Sequence, residues 1–235
     1  MNPDDNAQPP APEASQHAQE SGQELHQKHG QEHEQKPDQD PGPTSPHMIP
    51  IALAVITLAA MIGGLDALFW LRYERADILG GQVWRLLTGH LIHLGWAHLL
   101  LNLAGLAMLW IIFGRLLSFT RWAVALTCCA LGVSLGLLLF HPELHWYVGM
   151  SGMLHGMFVI GAVAGIRSGY RAEWLLLGLL ALKLIWEQIS GATPATAELV
   201  GGAVIVDAHL YGAITGLAVA LVMRWMDQRT LHNQL

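Results

Sequence analysis

The chain has 235 residues, of which 52% are hydrophobic and only 13% are charged. This composition, together with nine tryptophans, excludes an ordinary soluble domain and indicates a membrane protein. The charge is unevenly distributed, because residues 1–48 contain nine acidic and two basic residues, a net charge of −7, whereas the rest of the chain carries +1.

The first segment, residues 1–48, is rich in Gln, Glu, Pro, His and Ser and has almost no Val, Ile, Phe or Trp. Such a segment cannot bury enough apolar surface to offset its conformational entropy, so the sequence predicts a disordered acidic tail. It has neither a basic start nor a central apolar stretch, which excludes a signal peptide. Its five histidines are loosely spaced and indicate solvated polar residues rather than a metal site.

Six apolar segments approach the roughly 20 residues that a helix needs to cross about 30 Å of hydrocarbon. They cover approximately residues 49–71, 90–114, 122–140, 151–166, 172–189 and 204–226. Because a lipid-exposed backbone must satisfy its own hydrogen bonds, helices are the expected form. We therefore predict an all-α, polytopic bundle of six transmembrane helices over residues 49–227, followed by a short cytoplasmic tail at 228–235.

The distribution of basic residues predicts the orientation of the bundle. Arginines follow the second, fourth and sixth segments at Arg115, Arg121, Arg167, Arg171, Arg224 and Arg229. The positive-inside rule places these loops and both termini in the cytoplasm.

The connection between the first two segments breaks this rule, since it contains Arg72, Arg75 and Arg85 on the side predicted to be external. Trp70 and Trp84 lie beside these arginines and suggest a segment in the membrane interface, whose arginines reach lipid headgroups. A miscounted span is the alternative explanation.

Polar side chains inside the apolar segments are functional candidates, because each costs free energy in hydrocarbon. They are His90, His93, His98, Asn102, Ser151, His155, Lys183, Glu187 and His209, with Asp207 at the start of the sixth segment. Taken singly, each has a structural explanation. A serine can bond back to a helix carbonyl, His98 and Asn102 can join helices, and a histidine can bond a core carbonyl.

Small residues surround Ser151 and recur in the sixth segment. They are Gly149, Gly152 and Gly156 around the serine, and Ala208, Gly212, Gly216 and Ala220 at intervals of four. Such stripes let two helices pack closely, which would bring His209 within hydrogen-bond reach of Ser151. A neutral imidazole beside a hydroxyl is the arrangement of a general base and a nucleophile. We therefore predict that Ser151 is a nucleophile and His209 its base.

Acyl transfer also requires hydrogen-bond donors for the oxyanion that develops on the substrate carbonyl. The backbone N–H of Ser151 is one candidate, because at a helix start it has no intrahelical partner and lies at the positive end of the dipole. His98 and Asn102 are four residues apart on one helix face and supply side-chain donors.

Four sequence motifs resemble those of the rhomboid intramembrane serine proteases, over about residues 50–226. They are WRLLT at 84–88, HLIHLGWAHLLLN with its His98-x-x-x-Asn102 pattern, GMSG at 149–152 and AHLYGAITG at 208–216. The resemblance implies a six-helix bundle, a Ser151–His209 dyad without an acid, and an oxyanion hole formed by His98, Asn102 and the Ser151 amide. It also implies that the substrates are single-spanning membrane proteins cut in or near their membrane segment.

Within this family, the compact body, the His155 after SGML and the AHLYGAITG helix are most similar to the rhombosortase branch. That resemblance implies a bacterial inner-membrane enzyme, with its active site open to the periplasm, that processes proteins bearing a C-terminal Gly-Gly anchor.

Two features depart from the family pattern. FGRLL, after the second segment, lacks a glutamate that is common there, and His155 stands where many rhomboids have a tyrosine stacked on the catalytic histidine. His155 could be a stacking partner, a second donor or a rival base.

Three other functions fit the sequence less well than a serine protease. A metalloprotease is disfavoured because HPELH at 141–145 has its glutamate in the wrong place and a proline inside the turn. A transporter would use Lys183 and Glu187 as a charge relay, but a pair four apart on a helix neutralises itself. Asp207, two residues before His209, points to another side of its helix and does not complete a triad.

A non-catalytic rhomboid-like protein that binds membrane helices is the main alternative function. The chain has no CxxC pair, and neither a cofactor nor a metal is predicted.

Overall fold

The computed structural model describes residues 48–232. All but Met48 of the tail predicted at 1–48 lies outside the described residues. Within residues 48–232 the chain forms ten α-helices and two short strands. In chain order they are α1 Met48–Ile62, α2 Gly64–Leu71, β1 Tyr73–Glu74, α3 Arg75–Leu79, α4 Arg85–Thr88, α5 Trp96–Phe113, α6 Phe119–Phe140, β2 Trp146–Tyr147, α7 Ser151–Arg167, α8 Ala172–Ser190, α9 Pro194–Val200 and α10 Val206–His232.

Three of these helices, α5, α6 and α10, are long and apolar enough to cross a membrane. Two further pairs pass the same test only jointly, because α1 and α2 meet at a bend of 116° and α8 and α9 at a bend of 96°. The apolar helix α7 is shorter, with 17 residues. The chain is therefore an integral membrane protein with an all-α, polytopic bundle, as predicted.

The boundaries of the first two predicted helices were wrong. The first segment is not one helix, because the chain turns between α1 and α2, where Gly64 adopts the left-handed φ of 62°. The second helix begins at Trp96 rather than at residue 90, so that His90 and His93 lie in the preceding loop. The last helix continues to His232, so residues 228–232 of the predicted tail extend α10.

The predicted role of the arginines before α5 also needs correction. Arg85 does not reach headgroups, since it is only 4% exposed. Its guanidinium donates to the carbonyl oxygens of Phe69 and Arg72 at 2.8 and 2.9 Å and pairs with Asp77 at 3.0 Å. The arginine thus satisfies backbone carbonyls that the bend after α2 leaves without helical partners.

This region is attached to the rest of the bundle by backbone contacts. Strand β1 pairs antiparallel with β2, which places Tyr73 opposite Tyr147. Arg75 donates to the carbonyl of Leu138 at the end of α6, at 2.6 Å. The short strand pair therefore fixes the position of the loop that leads into α7.

Helix α7 lies at the centre of the bundle, packed against α5, α6, α8 and α10. Ten of its 17 residues are buried, although an isolated span would face lipid on most sides. Its approach to α10 requires glycine: a Cβ added to Gly152 would lie 2.7 Å from the carbonyl oxygen of Ala208, and one added to Gly156 would lie 2.5 Å from that of Gly212. The small-residue stripes therefore form the contact between these two helices, as the sequence predicted.

At the far end of α7 an ionic cluster joins three helices. Asp227 of α10 accepts hydrogen bonds from Arg121 of α6 and, at 2.9 Å, from Arg167 of α7. The cluster lies at the opposite end of α7 from Ser151 and connects α6, α7 and α10.

Candidate active site

Ser151 is the first residue of α7 and follows a loop that several hydrogen bonds hold in place. Gly149 adopts the left-handed φ of 112°, which an L side chain rarely adopts. Its N–H donates to the carbonyl of Gly89 at 3.0 Å, and its carbonyl accepts from the hydroxyl of Tyr147 at 2.8 Å. The turn leaves the backbone N–H of Ser151 in the first turn of α7, where no helix carbonyl precedes it.

His209 of α10 lies next to this serine. Its Nε2 is 3.0 Å from the Oγ of Ser151, and the imidazole is almost fully buried. The helix contact at Gly152 and Gly212 brings the two side chains together from positions 58 residues apart. A neutral imidazole at this distance can accept the hydroxyl proton.

His155 lies on the other face of the His209 ring. The two rings are stacked, with centroids 4.2 Å apart and planes at 13°. The Nδ1 of His155 lies 2.7 Å from the backbone carbonyl of Ser151 and donates to it. Since the ring lies parallel to His209, its geometry is that of a stacking partner.

His98 and Asn102 approach the serine from α5. The N–H of Leu94 donates to the Nδ1 of His98 at 3.4 Å, which leaves the proton of a neutral His98 ring on Nε2. That nitrogen faces the serine loop, because a Cβ added to Gly149 would lie 2.8 Å from it. Asn102 is buried and donates to the carbonyl of His98 at 3.0 Å. Both side chains predicted as oxyanion donors therefore border the site, with His98 nearer the serine loop.

Two histidines of the loop before α5, His90 and His93, pack against residues of the site. The Nε2 of His90 lies 2.9 Å from the carbonyl of Ala130, and its Nδ1 lies 3.3 Å from that of Gly149. Burial lowers the pKa of His90 to about 4, so the ring is neutral at physiological pH. His93 is also buried and packs edge-on against His98, with ring centroids 5.0 Å apart. These contacts indicate a structural role for both histidines, next to the loop that carries Gly149.

The sequence reading did not place Glu187 at the site. The expected pair with Lys183 is present, with 2.6 Å between Nζ and Oε1. The second carboxylate oxygen, however, lies 2.9 Å from the Nδ1 of His209. The sequence signal for this contact is a carboxylate inside an apolar segment, but a pair with Lys183 one turn earlier on the same helix accounts for that carboxylate equally well.

Asp207 lies away from His209, as predicted. Its carboxylate is 3.5 Å from the Nε2 of His141, which also contacts the hydroxyl of Tyr211 at 2.9 Å. The HPELH string at 141–145 forms a loop after α6 rather than a helix, and Glu143 is exposed. This geometry does not suit the helical histidine pair of a metalloprotease.

Three side chains at the site have the donor types of a metal centre. The ligand atoms of His155, Glu187 and His209 lie within 4.8 Å of one another. Both nitrogens of His209 already contact Ser151 and Glu187, and the Nδ1 of His155 contacts a carbonyl. The arrangement is that of a hydrogen-bonded chain, which a metal ion would have to break.

Two cavities meet at the serine. The larger, of about 630 Å³, has a mainly apolar lining and lies between α5 and α8, with His209 and His155 on its wall. The smaller, of about 460 Å³, lies between the loop at residues 143–148 and the loop at 200–205. Ser151 and His98 border both cavities, so a chain that passed from one to the other would cross the serine hydroxyl.

The fold and the site together define a class: a polytopic helical membrane protein that holds a serine hydroxyl against a buried imidazole, beside an apolar cavity. Comparison with known families identifies the family within this class. The Rhomboid domain model matches residues 80–226, and the chain belongs to the rhomboid family.

Curated relatives are similar over most of the chain. The chain is 26% identical over 199 residues to the rhomboid protease GlpG of Klebsiella pneumoniae subsp. pneumoniae, which covers 82% of the chain and 65% of the relative. It is 26% identical over 180 residues to the rhomboid protease GlpG of Salmonella paratyphi A, covering 74% of the chain and 61% of the relative. It is 24% identical over 182 residues to that of Yersinia enterocolitica, covering 76% of the chain and 62% of the relative. The chain thus spans somewhat less than two thirds of the length of these relatives.

Proposed function

We propose that this protein is an intramembrane serine endopeptidase that cleaves membrane-protein substrates near the membrane surface. The observation that carries the proposal is the 3.0 Å contact between the Oγ of Ser151 and the Nε2 of His209, at the point where two cavities meet. Membership of the rhomboid family and similarity to proteins described as rhomboid proteases support the same activity.

In the proposed mechanism, His209 accepts the proton of Ser151 as Oγ attacks the carbonyl carbon of the scissile peptide bond. The negative charge that develops on the carbonyl oxygen is stabilised by the backbone N–H of Ser151 and by Nε2–H of His98, with Asn102 as a further donor. The imidazolium of His209 then gives its proton to the leaving amine, and the C–N bond breaks. A water molecule, deprotonated by the same imidazole, hydrolyses the acyl-enzyme.

The cavity between α5 and α8 supports a transmembrane segment as the substrate. Its lining is mainly apolar and is continuous with the site, so a helix could dock there while its end reaches Ser151. As the finer proposal, the substrates carry a C-terminal Gly-Gly anchor of the rhombosortase type. This rests on the similarity of the SGML-His155 and AHLYGAITG motifs to that branch.

We also propose that the protein resides in a bacterial inner membrane, with its termini in the cytoplasm and its site open to the periplasm. The arginines after α5, α7 and α10 support this orientation. Arg121 and Arg167 contact Asp227 at the end of α7 away from Ser151, so these two arginines and the serine lie at opposite ends of that helix.

Labelling with a fluorophosphonate probe in detergent tests the activity, because the probe reacts only with an activated serine. We expect the wild-type protein to be labelled and Ser151→Ala to be unlabelled, with His209→Ala slower by at least about 100-fold. Thermal unfolding provides the control for folding. Labelling that persists in Ser151→Ala would contradict the proposed mechanism. A folded wild-type protein that does not react would favour the helix-binding alternative.

Cleavage of a tagged single-spanning protein tests the substrate class separately. A reporter that ends in Gly-Gly, an apolar helix and a basic tail should be cut by the wild-type protein and left intact by Ser151→Ala. Replacement of the Gly-Gly pair by Leu-Leu should reduce cleavage strongly. Equal cleavage of both reporters would reject the Gly-Gly anchor while leaving the protease activity standing.

A further inference from the structure

We propose that Glu187 is a positioning residue for His209, so that the site works as a Ser151–His209–Glu187 triad and not as the dyad that the family resemblance implies. The inference rests on the proposed function and adds a third residue to it. It follows from the contact of 2.9 Å between the Oε2 of Glu187 and the Nδ1 of His209.

The first consequence of this contact concerns the tautomer of His209. To accept the proton of Ser151, the imidazole must have a lone pair on Nε2 and therefore carry its hydrogen on Nδ1. A carboxylate can only accept hydrogen bonds, so Glu187 requires that hydrogen on Nδ1. The two contacts of His209 are thus satisfied together in one tautomer, the one that can act as a base.

The second consequence concerns charge. When His209 takes the serine proton it becomes an imidazolium, and the carboxylate at Nδ1 stabilises the new charge. The side chains of His209 and Glu187 are only 7% and 13% exposed, so water screens their interaction weakly. The other groups near His209 do not stabilise an imidazolium. Lys183 is cationic, and the His155 ring that stacks on His209 carries no negative charge.

Lys183 has a specific part in this arrangement. Its ammonium is 2.6 Å from the Oε1 of Glu187 and leaves Oε2 free to face the imidazole. Since Lys183 and Glu187 are one turn apart on α8, the helix itself sets their spacing. The lysine therefore holds the carboxylate in the orientation that His209 needs, in the way that outer partners orient residues at other catalytic centres.

A purely structural role is the competing interpretation: Glu187 could serve only to neutralise Lys183 and to hold α8 against α10. The two interpretations differ for Glu187→Gln, which keeps the shape. The ammonium of Lys183 would attract the amide oxygen of the substituted side chain, turning its NH₂ group toward Nδ1. His209 would then be held with its hydrogen on Nε2, the tautomer that cannot accept a proton from Ser151.

The experiment measures fluorophosphonate labelling of the full-length protein in detergent and separates the maximal rate, kinact, from the binding constant, KI. For Glu187→Gln we expect kinact to fall by about 100-fold or more, since exchange of the acid for an amide in a soluble serine protease costs about 10⁴-fold. KI should change by less than about threefold, because the probe does not touch Glu187. The matched control is Glu173→Gln, the same substitution at the other end of α8, which should label at the wild-type rate.

A second variant distinguishes the tautomer effect from a loss of structure. In Lys183→Met/Glu187→Gln the amide oxygen is no longer attracted to an ammonium and can accept from Nδ1, so labelling should recover at least tenfold relative to Glu187→Gln. It should stay below the wild-type rate, because the amide carries no charge.

Three results would overturn the inference. They are wild-type labelling by folded Glu187→Gln, no recovery in the folded double variant, and, if Glu187→Gln fails to fold, wild-type labelling by the double variant. None of them affects the proposed function, which fails only if Ser151→Ala is still labelled or the folded wild-type protein is not.

Discussion

At the scale of single residues, the site is organised around the two faces and two nitrogens of His209. One nitrogen contacts Ser151 and the other Glu187, while the ring of His155 covers one face at 4.2 Å. Three neighbouring residues on two other helices therefore fix the position and the ring orientation of the imidazole. An imidazole held in this way would lose little orientational freedom in the proposed reaction.

The stacked ring predicts the effect of changing His155. His155→Ala should slow fluorophosphonate labelling by about tenfold, because His209 loses the surface that fixes its plane. His155→Tyr keeps an aromatic ring over His209 and should stay within about threefold of the wild-type rate. If His155→Ala abolished labelling while His209→Ala retained it, the base would have to be reassigned to His155.

At the scale of elements, the contact between α7 and α10 decides whether the site exists at all. A Cβ added to Gly212 or to Gly216 would collide with the carbonyl oxygens of Gly152 and Gly156. The two backbones are thus closer than any side chain permits, and the helices must separate if one is introduced. Separation of the helices would also move His209 away from Ser151.

Gly212→Ala is therefore expected to abolish labelling and to lower the melting temperature clearly, although it adds only one methyl group. The matched control is Gly178→Ala on α8, where the added methyl meets no atom within 4 Å. That substitution should leave labelling unchanged and is expected to stabilise the helix by about 0.5–1 kcal/mol. Equal effects of the two substitutions, measured by thermal unfolding and labelling, would contradict the close packing.

Much of this arrangement could be predicted from the sequence, since small residues every four positions and isolated polar residues in apolar segments are both local patterns. The break at Gly64 could not, because hydropathy continues through the bend between α1 and α2. Nor could the contact of Glu187 with His209. Lys183 gives that carboxylate a partner within its own helix. No local sequence pattern predicts which face of α8 packs against α10.

At the scale of the whole molecule, the chain stabilises both ends of α7. At the serine end, β1 pairs with β2 and Arg85 satisfies the carbonyls of the loop. At the other end, Asp227 joins the arginines of α6 and α7. The sequence suggested that the arginines before α5 lie among headgroups. It could not predict that Arg85 is buried, because that depends on backbone carbonyls at the end of α2, 16 and 13 residues earlier in the chain, which hydropathy does not detect.

Asp227→Asn tests the far ionic cluster. The charge that neutralises two arginines is lost, but the cluster is partly exposed, with 23% of the Asp227 side chain accessible. We expect a loss of about 1 kcal/mol or less, seen as a drop of a few degrees in melting temperature. Labelling of Ser151 at 25 °C should be unchanged, because the cluster is at the other end of α7. A loss of labelling in a folded Asp227→Asn protein would show that the two ends are coupled.

The short length of α7 has a consequence for the proposed substrate. Its 17 residues extend over roughly 25 Å at 1.5 Å per residue, less than the roughly 30 Å thickness of hydrocarbon. If Arg167 marked one boundary of the hydrocarbon, the hydroxyl of Ser151 would lie several ångströms below the other boundary. In the proposed reaction, a peptide bond that reached this depth in helical form would have its carbonyl oxygen hydrogen-bonded and shielded. It would have to unwind before attack, so the proposal predicts that segments whose ends fray easily are cut fastest.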